Sequence, residues 1–549
     1  MPLLLRHIAL DLGEPEEALP ARAARRLKLP IDAVRAWGIV RRSLDARGGR
    51  VRIVYNLELA LDSPRTERRI CRRLHRADVK LLVPRPTVTF VVGTRPMPDR
   101  PIVIGFGPAG MFAALTLAEH GYRPIVLERG QPVPRRHVDV LKRFWRGREF
   151  DPESNLLFGE GGAGCYSDGK LRTRLNDPRV PIVLETFYRH GAPPDILVNS
   201  RPHIGSDRLP SICRRIRNRI ERLGGEVRFG AKVTGFVLAE GRLVALRMAD
   251  GSTVNLRTSG SAAAERAGGV PVLLGIGQSA RDTFRALLAA GVTLTVKPFQ
   301  VGVRVEHPQE RINRWQYGAA AGDPRLPPAE YQVVAKRAAG DRGDVFSFCM
   351  CPGGTIVPCN ESPGRVAVNG ASRARRSSLL GNSGLVVTLG PRDVGGDPLL
   401  ALATLERWEQ TAFELAGGDY RVPVQRAGDF VAGRGSDGEL HTSYPLGGQW
   451  CDLRRVLPQT VTSALSGALQ MLDQRMAGFA DSEAILAAPE TRASCPLRVL
   501  RDETTRASVS ADNLHPVGEG AGYAGGIVSA AVDGIRTAEV LIRRYAPPR

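Results

Sequence analysis

Three glycines, Gly105, Gly107 and Gly110, follow the apolar triplet Ile102–Ile104 at the spacing G-x-G-x-x-G, and a second apolar run ends in Glu128, 18 residues past Gly110. Each glycine has its own task in such a turn. The first permits a tight reversal, the second lets backbone approach a pyrophosphate, and the third lets helix and strand pack closely. Pro108 and Ala109 open the helix, whose free N–H groups and positive dipole end face the phosphates. Glu128 is placed to accept hydrogen bonds from a ribose. An NADP site would carry Arg or Ser at the acid position, so Glu128 followed by Arg129 and Gly130 favours FAD over a nicotinamide cofactor.

Two further segments carry chemistry of the same kind. Residues 158–171 hold five glycines, among them Gly159, Gly161 and Gly162, with Ser167, Asp168 and Lys170 as polar handles. Such a loop exposes N–H groups suited to an anion or a flat ring. Some 400 residues after the first fingerprint come Gly518, Glu519, Gly526 and Ile527 at the head of a predicted helix. An acid in a Gly turn suits a ribityl or pyrophosphate group. A helix N-terminus suits a flavin edge, where negative charge develops on reduction. Gly275-x-Gly277-x-x-Ala280 leaves two readings open: a second nucleotide fingerprint for NAD(P)H, or a strand returning to the first domain with Gly277 beside the same cofactor.

Cys349 and Cys351 form a C-x-C pair that would exchange electrons with a flavin if it closed to a disulfide, while Pro352-Gly353-Gly354 after it reads as a turn with packed thiols. His203 and His307 are candidate acids or bases. Glu306, Glu361 and Arg492 are candidates for holding an anionic substrate or for internal ion pairs. The eight cysteines show no zinc or iron–sulfur spacing, so no metal is expected.

Stepping from these residues to the elements that hold them, 549 residues imply two or three domains. We expect a basic α+β module over 1–95, a first part of an FAD-binding domain over 96–297, a strand-rich insertion over 298–504 that returns to helix from 455, and a second part of the FAD domain over 505–549. Strands are predicted over 3–10, 37–42, 51–61, 226–229, 233–238, 243–248, 253–256, 271–275, 292–296, 301–305, 345–349 and 365–368. Helices are predicted over 14–29, 65–76 and 211–223, and from Gly526 to near Arg543. Pro84 to Pro101 reads as a linker. The fold class is α/β, a discontinuous Rossmann-like FAD domain.

The formal charge is +21, but only seven of 77 basic residues are Lys. That excess of Arg reads as codon bias more than as an RNA-binding signature. Residues 1–100 nonetheless hold 21 basic and 11 acidic side chains. Docking of RNA by this module is therefore an alternative to a small-molecule enzyme, as is an FAD-bound scaffold without catalysis. No membrane span is predicted and the expected location is cytoplasmic.

The chain resembles a bacterial family of FAD-dependent dehydrogenase-like proteins with mostly unassigned substrates, and more broadly the glutathione-reductase-like flavoproteins. The resemblance rests on residues 39–47, 158–171, 202–207, 277–283, 297–299, 303–307, 346–354, 490–492 and 518–534. It implies non-covalent FAD held by the Gly105, Gly159–Lys170, Gly277 and Gly518–Ile527 segments. In FAD-binding domains the strand at Val233 usually meets the adenine through its backbone. A hydride would pass between flavin and a small molecule, with NAD(P)H a candidate donor. Cys165 and Cys495 depart from the Thr, and the Ser or Thr, expected there.

Overall fold

The computed structural model describes residues 1–83, 86–256, 269–341 and 343–548, so that Pro84 of the expected linker lies outside the described residues. Ile102, Val103 and Ile104 are all buried, as befits a strand whose sheet is covered on both faces, by helices on the Val103 side and by an antiparallel layer on the side of Ile102 and Ile104. This strand sits in a five-stranded parallel sheet in the order Leu514–Pro516, Val272–Leu274, Ile102–Ile104, Ile125–Leu127, Glu226–Arg228. The helix Pro108–Glu119 is buried from Ala109 to Ala118, because the helix Ile527–Arg544 lies against it. Small residues make that approach possible: a Cβ at Gly534 would stand 2.1 Å from the Ala109 carbonyl oxygen. A three-stranded antiparallel layer, Val233–Ala239, Arg242–Met248 and Thr253–Asn255, flanks the sheet.

The sheet assigns Gly275-x-Gly277 to one of its two readings. Val272–Leu274 pairs in parallel with both Ile102–Ile104 and Leu514–Pro516, so the segment returns the chain to the first sheet.

Between the strands at 296 and 497 the chain builds a second, seven-stranded sheet. Its order is Val334–Ala335, Val345–Cys351, Leu380–Leu389, Phe299–Pro308, Ile485–Glu490, Val422–Arg426, Gly448–Trp450. Phe299–Pro308 is its spine, paired along its full length with Leu380–Leu389. Three expectations need correction here. The region holds the 18-residue helix Pro398–Leu415 as well as strands. The stretch after 455 gives one long helix, Gln459–Asp473, and then reverts to strands at Ile485–Glu490 and Leu497–Val499. The strand expected at 365–368 instead spans Val368–Ala371. Short apolar runs such as 484–488 are buried on all sides, and periodicity alone does not separate helix from strand there.

Residues 3–81 form a four-stranded sheet, Ala36–Asp45, Arg52–Ala60, Leu3–Asp11, Val79–Leu81, with its own core of Leu3, Leu5, Leu10, Leu57 and Leu59. The arginine-rich helix Pro64–Leu74 buries Ile70 and leaves Arg65, Arg68, Arg69, Arg72 and Arg73 in solvent. It ends before Arg76 because His75 takes the left-handed conformation (φ 42°). Farther on, Arg95–Pro96 pairs with Tyr545–Ala546. No helix among the described residues is long and apolar enough to cross a membrane.

Candidate functional site

The parallel strands end on a cavity of about 430 Å³. Gly105 turns the chain there with φ 91°, and a Cβ on it would stand 2.5 Å from the Gly275 carbonyl oxygen. Gly107 caps the following helix, and Pro108 and Ala109 bring the helix N-terminus to the wall. Gly110 lies behind this surface, where a Cβ would meet the Gly105 oxygen at 2.0 Å. Its smallness closes the turn and contacts no ligand space.

Glu128 also lines the cavity, and its carboxylate is partly engaged. Oε1 accepts from the N–H groups of Gly130 and Gly159, both at 2.9 Å, and Oε2 from that of Phe106 at 2.7 Å. A carboxylate offers about four acceptor positions, so about one remains for a ribose hydroxyl. Arg129 lies 4.0 Å over the Phe158 ring and bridges Glu153 at 2.7 Å and Asp282 at 2.9 Å. It therefore braces the wall.

The glycine-rich loop divides in two. Gly162, Ser167, Asp168 and Lys170 line the cavity, whereas Gly159 and Gly161 do not. Gly159 would strike the Arg136 side chain and Gly161 the Cys213 sulfur, at 2.5 and 2.8 Å, if either carried a Cβ. Val233, Gly277, Glu519, Gly526 and Ile527 complete the cavity from the other segments. Gly518 again lies behind it, donating its N–H to Asp533 at 2.8 Å. Burial pushes the Glu519 carboxyl up to about 7 against the opposing pull of Lys297.

These residues fit FAD. A Cβ at Gly277 or Gly525 would meet nothing within 4 Å, so bare backbone faces open space there. Two helix N-termini, at Pro108 and Ile527, border the same cavity, and between them lie apolar side chains such as Leu127, Leu157, Phe158 and Ile276. Anion-binding ends with an apolar middle match a pyrophosphate and a flat ring system.

The opposite wall comes from the seven-stranded sheet and its connections: Phe348, Cys349, Val357, Cys359, Asn369, Gly370 and Arg492. Of the C-x-C pair only Cys349 reaches the cavity. Cys351 is buried behind it, both thiols are free, and their sulfurs lie 4.0 Å apart. Lys170 Nζ stands 3.5 Å from the Cys351 sulfur and 3.9 Å from that of Cys349, and it also bonds the buried Asp168. Burial disfavours the Lys170 ammonium, yet these sulfurs and the carboxylate outweigh it and hold its pKa above the usual lysine value.

His203 does not line the cavity, although its backbone bridges to that of Lys170. Its Nε2 meets the Ala374 carbonyl oxygen at 3.2 Å, and burial lowers its pKa, which keeps the ring neutral. His307 is structural: Nε2 donates to the Phe479 carbonyl oxygen at 2.9 Å within an aromatic cluster. Glu306 accepts from the Ser443 backbone at 3.1 Å and bonds its hydroxyl.

Glu361 and Arg492 belong to a buried ion cluster that sequence reasoning did not assemble. Glu409 takes Arg281 at 2.7 Å and Arg492 at 3.0 Å, with Glu361 3.2 Å from Arg492. Burial would raise the Glu409 carboxyl, but the two guanidinium groups hold it at about 2. Cys495 is buried, with its thiol pushed up to about 12, and Cys165 is buried beside Cys213, so neither departure from the family pattern reaches the site.

A family model described as FAD-dependent protein, C-terminal domain-like, matches residues 298–493. An FAD binding domain model matches 100–136, and a domain of unknown function matches 5–60. An uncharacterized protein of Clostridium beijerinckii (strain ATCC 51743 / NCIMB 8052) is 38% identical over 553 residues, covering 100% of both chains. Among solved structures, L-proline dehydrogenase from P. horikoshii is 10% identical with a TM-score of 0.36, over 81% of this chain and 94% of that one. Glycine oxidase from Geobacillus kaustophilus is 10% identical with a TM-score of 0.34, over 82% and 96%. Likeness that distant says nothing about substrate. The chain belongs, with its clostridial relative, to a family of FAD-dependent oxidoreductases, and FAD is its cofactor.

Proposed function

We propose that the chain is a dehydrogenase that moves a hydride between a small molecule and FAD held in the 430 Å³ cavity. One observation carries the reading: the segments around Gly105, Gly162–Lys170, Gly277 and Glu519–Ile527 face that cavity from one side, and the seven-stranded sheet's Cys349, Asn369 and Arg492 face it from the other. On this reading the FAD domain is of the glutathione-reductase type, split into 96–297 and 505–549. The insertion 298–504 supplies the substrate wall, and 1–95 is an appended module. Bound there, the flavin supplies two-electron chemistry.

The chain's own groups supply charge and proton positions. Lys170, tethered by Asp168, keeps a positive charge on the wall where negative charge develops. Glu519, with its carboxyl near neutrality, holds or releases a proton at its carboxylate oxygens within the physiological range. Cys349 offers a sulfur at the same surface.

The test is anaerobic reduction followed by flavin absorbance, with NADH and NADPH as the first donors and a panel of small metabolites after them. Bleaching by one donor class supports the reading. A protein that stays yellow with every donor is a scaffold, and one that neither carries nor takes up FAD refutes the assignment of the cavity.

A further inference from the structure

Behind the Cys349 wall lies a smaller cavity of about 250 Å³ that shares Lys170, Arg172 and Cys349 with the cofactor cavity. Its charged lining is Lys170, Arg172, Arg174, Arg201 and Arg376 against one carboxylate, Glu330. Two of these cations are engaged: Lys170 with Asp168 and the two sulfurs, and Arg201 with Glu330 at 2.7 Å. Among the described residues the side chains of Arg172 and Arg174 have no hydrogen-bond or ion-pair partner.

Arg376 is the distinctive member. It is 9% exposed, its nearest carboxylate oxygen is Asp168 Oδ1 at 3.8 Å, and its Nε has no hydrogen-bond partner. A buried guanidinium with an idle donor is costly unless something accepts from it. The same residue, with Arg201 and Glu330, also lines a groove of about 1490 Å³ against the N-terminal sheet. Arg41 and Arg52 project into that groove from two of the sheet's strands. Cations therefore mark a continuous course from solvent, past Arg376, to the wall at Cys349. The groove also holds Asp45, Asp195 and Glu330, but nine arginines outnumber them, and a cationic excess concentrates anionic ligands.

We propose that the 250 Å³ cavity binds the anionic end, carboxylate or phosphate, of the small molecule that reaches the cofactor cavity, with Arg376 as principal ligand. Arg172 and Arg174 stand beside it, and the groove under the N-terminal sheet is the approach. This rests on the reading of the larger cavity as the redox site. The volume is below the usual 300–1,000 Å³ of a whole-ligand pocket, which suits a head group whose remainder passes Cys349. The planar fork of arginine matches both carboxylate and phosphate.

The experiment uses flavin-loaded full chain, with inorganic phosphate, acetate and succinate as separate probes followed by calorimetry. Saturable binding of phosphate alone marks a phosphate head group, and binding of the carboxylates alone marks a carboxylate. Arg376→Met lowers affinity for the bound probe by about tenfold or more, and Arg376→Lys recovers part of it. The Arg172→Ala/Arg174→Ala double variant, changed only at exposed residues, lowers it by a few fold. No saturable binding by any probe, or binding that both Arg376→Met and the double variant leave intact, overturns the proposal. Flavin content, read from the same samples by absorbance, reports separately on the cofactor site, and calorimetry reads the anion site whether or not flavin is retained.

Discussion

Two glycine turns of nearly the same sequence lie side by side in this molecule and do different work. Gly105–Gly110 and Gly275–Ala280 both leave a buried parallel strand, both touch the cofactor cavity, and both precede a helix. In the first, the helix starts at Pro108 on the cavity wall, so its N-terminal N–H groups face ligand space. In the second, the helix starts at Arg281, and its first residues are already taken: Arg281 by Glu409 and Asp282 by Arg129. The difference lies in what the helix N-terminus meets. One turn directs its helix N-terminus toward the cavity, while the other lines the wall with Gly275 to Ala280 but has the N–H groups of Arg281 and Thr283 already taken by the Ser279 carbonyl oxygen and Asp282, and it fastens two sheets together.

The two turns differ most at their third position, Gly110 in one and Ala280 in the other. Gly110→Val should cost more than about 3 kcal/mol and abolish flavin retention, because backbone stands where its Cβ would go. Ala280→Gly should cost about 0.5–1 kcal/mol with flavin kept. Thermal midpoints together with the flavin-to-protein absorbance ratio check both.

Next comes the fastening itself. Arg281→Met leaves Glu409 with Arg492 as its remaining cation and should destabilise by about 3 kcal/mol in urea unfolding. The refolded protein should still take up FAD. Loss of FAD uptake at unchanged stability would mean the second turn is an anion site after all.

A third variant probes the part the two turns share. Gly277→Ala forces an L-residue to φ 72°, at about 1–2 kcal/mol, and points a methyl into open cavity. FAD dissociation should quicken more than stability falls, as ultrafiltration of the free flavin would show.

A pH dependence arises on the neighbouring strand. Burial lowers the pKa of His515 from 6.5 to about 4, so the ring is neutral in the fold. Stability from this group is complete above pH 6.5 and is lost as pH falls toward 4, since the unfolded chain takes the proton first. At pH 5.5 the deficit relative to pH 7.5 should be about 1.4 kcal/mol, and His515→Phe should reduce it.

The first turn was legible because each of its requirements is local: three glycines, an apolar strand before them and an acid after a second strand. The second was ambiguous because the same letters fit two roles. What separates them, pairing with Ile102–Ile104 and the carboxylate at 409, lies far away in the chain. The distant half of the candidate site at Glu519–Ile527 was readable by its glycines, while Gly110, Gly159, Gly161 and Gly518 lie outside the cavity lining. The C-x-C pair announced itself, but Lys170 beside it did not, since that contact joins residues 181 positions apart. The helix Pro398–Leu415 was missed amid strands because Leu399 and Leu400 are exposed while Thr404 and Glu409 are buried, which leaves little amphipathic contrast.

The short pairing of Arg95–Pro96 with Tyr545–Ala546 bears on the order in which the molecule is made. Tyr122 donates its hydroxyl to the Ile542 carbonyl oxygen, and Gly93 donates its N–H to the same group. The first glycine turn leaves the ribosome some 400 residues before the strand Leu514–Pro516 and the helix that covers Pro108–Glu119. Both halves of the candidate cofactor cavity therefore coexist only after residue 527 has emerged. Until then the strand Val272–Leu274 lacks its neighbour Leu514–Pro516 and stands at the edge of the sheet, a long-range closure of the kind that folds slowly and exposes apolar surface while it waits.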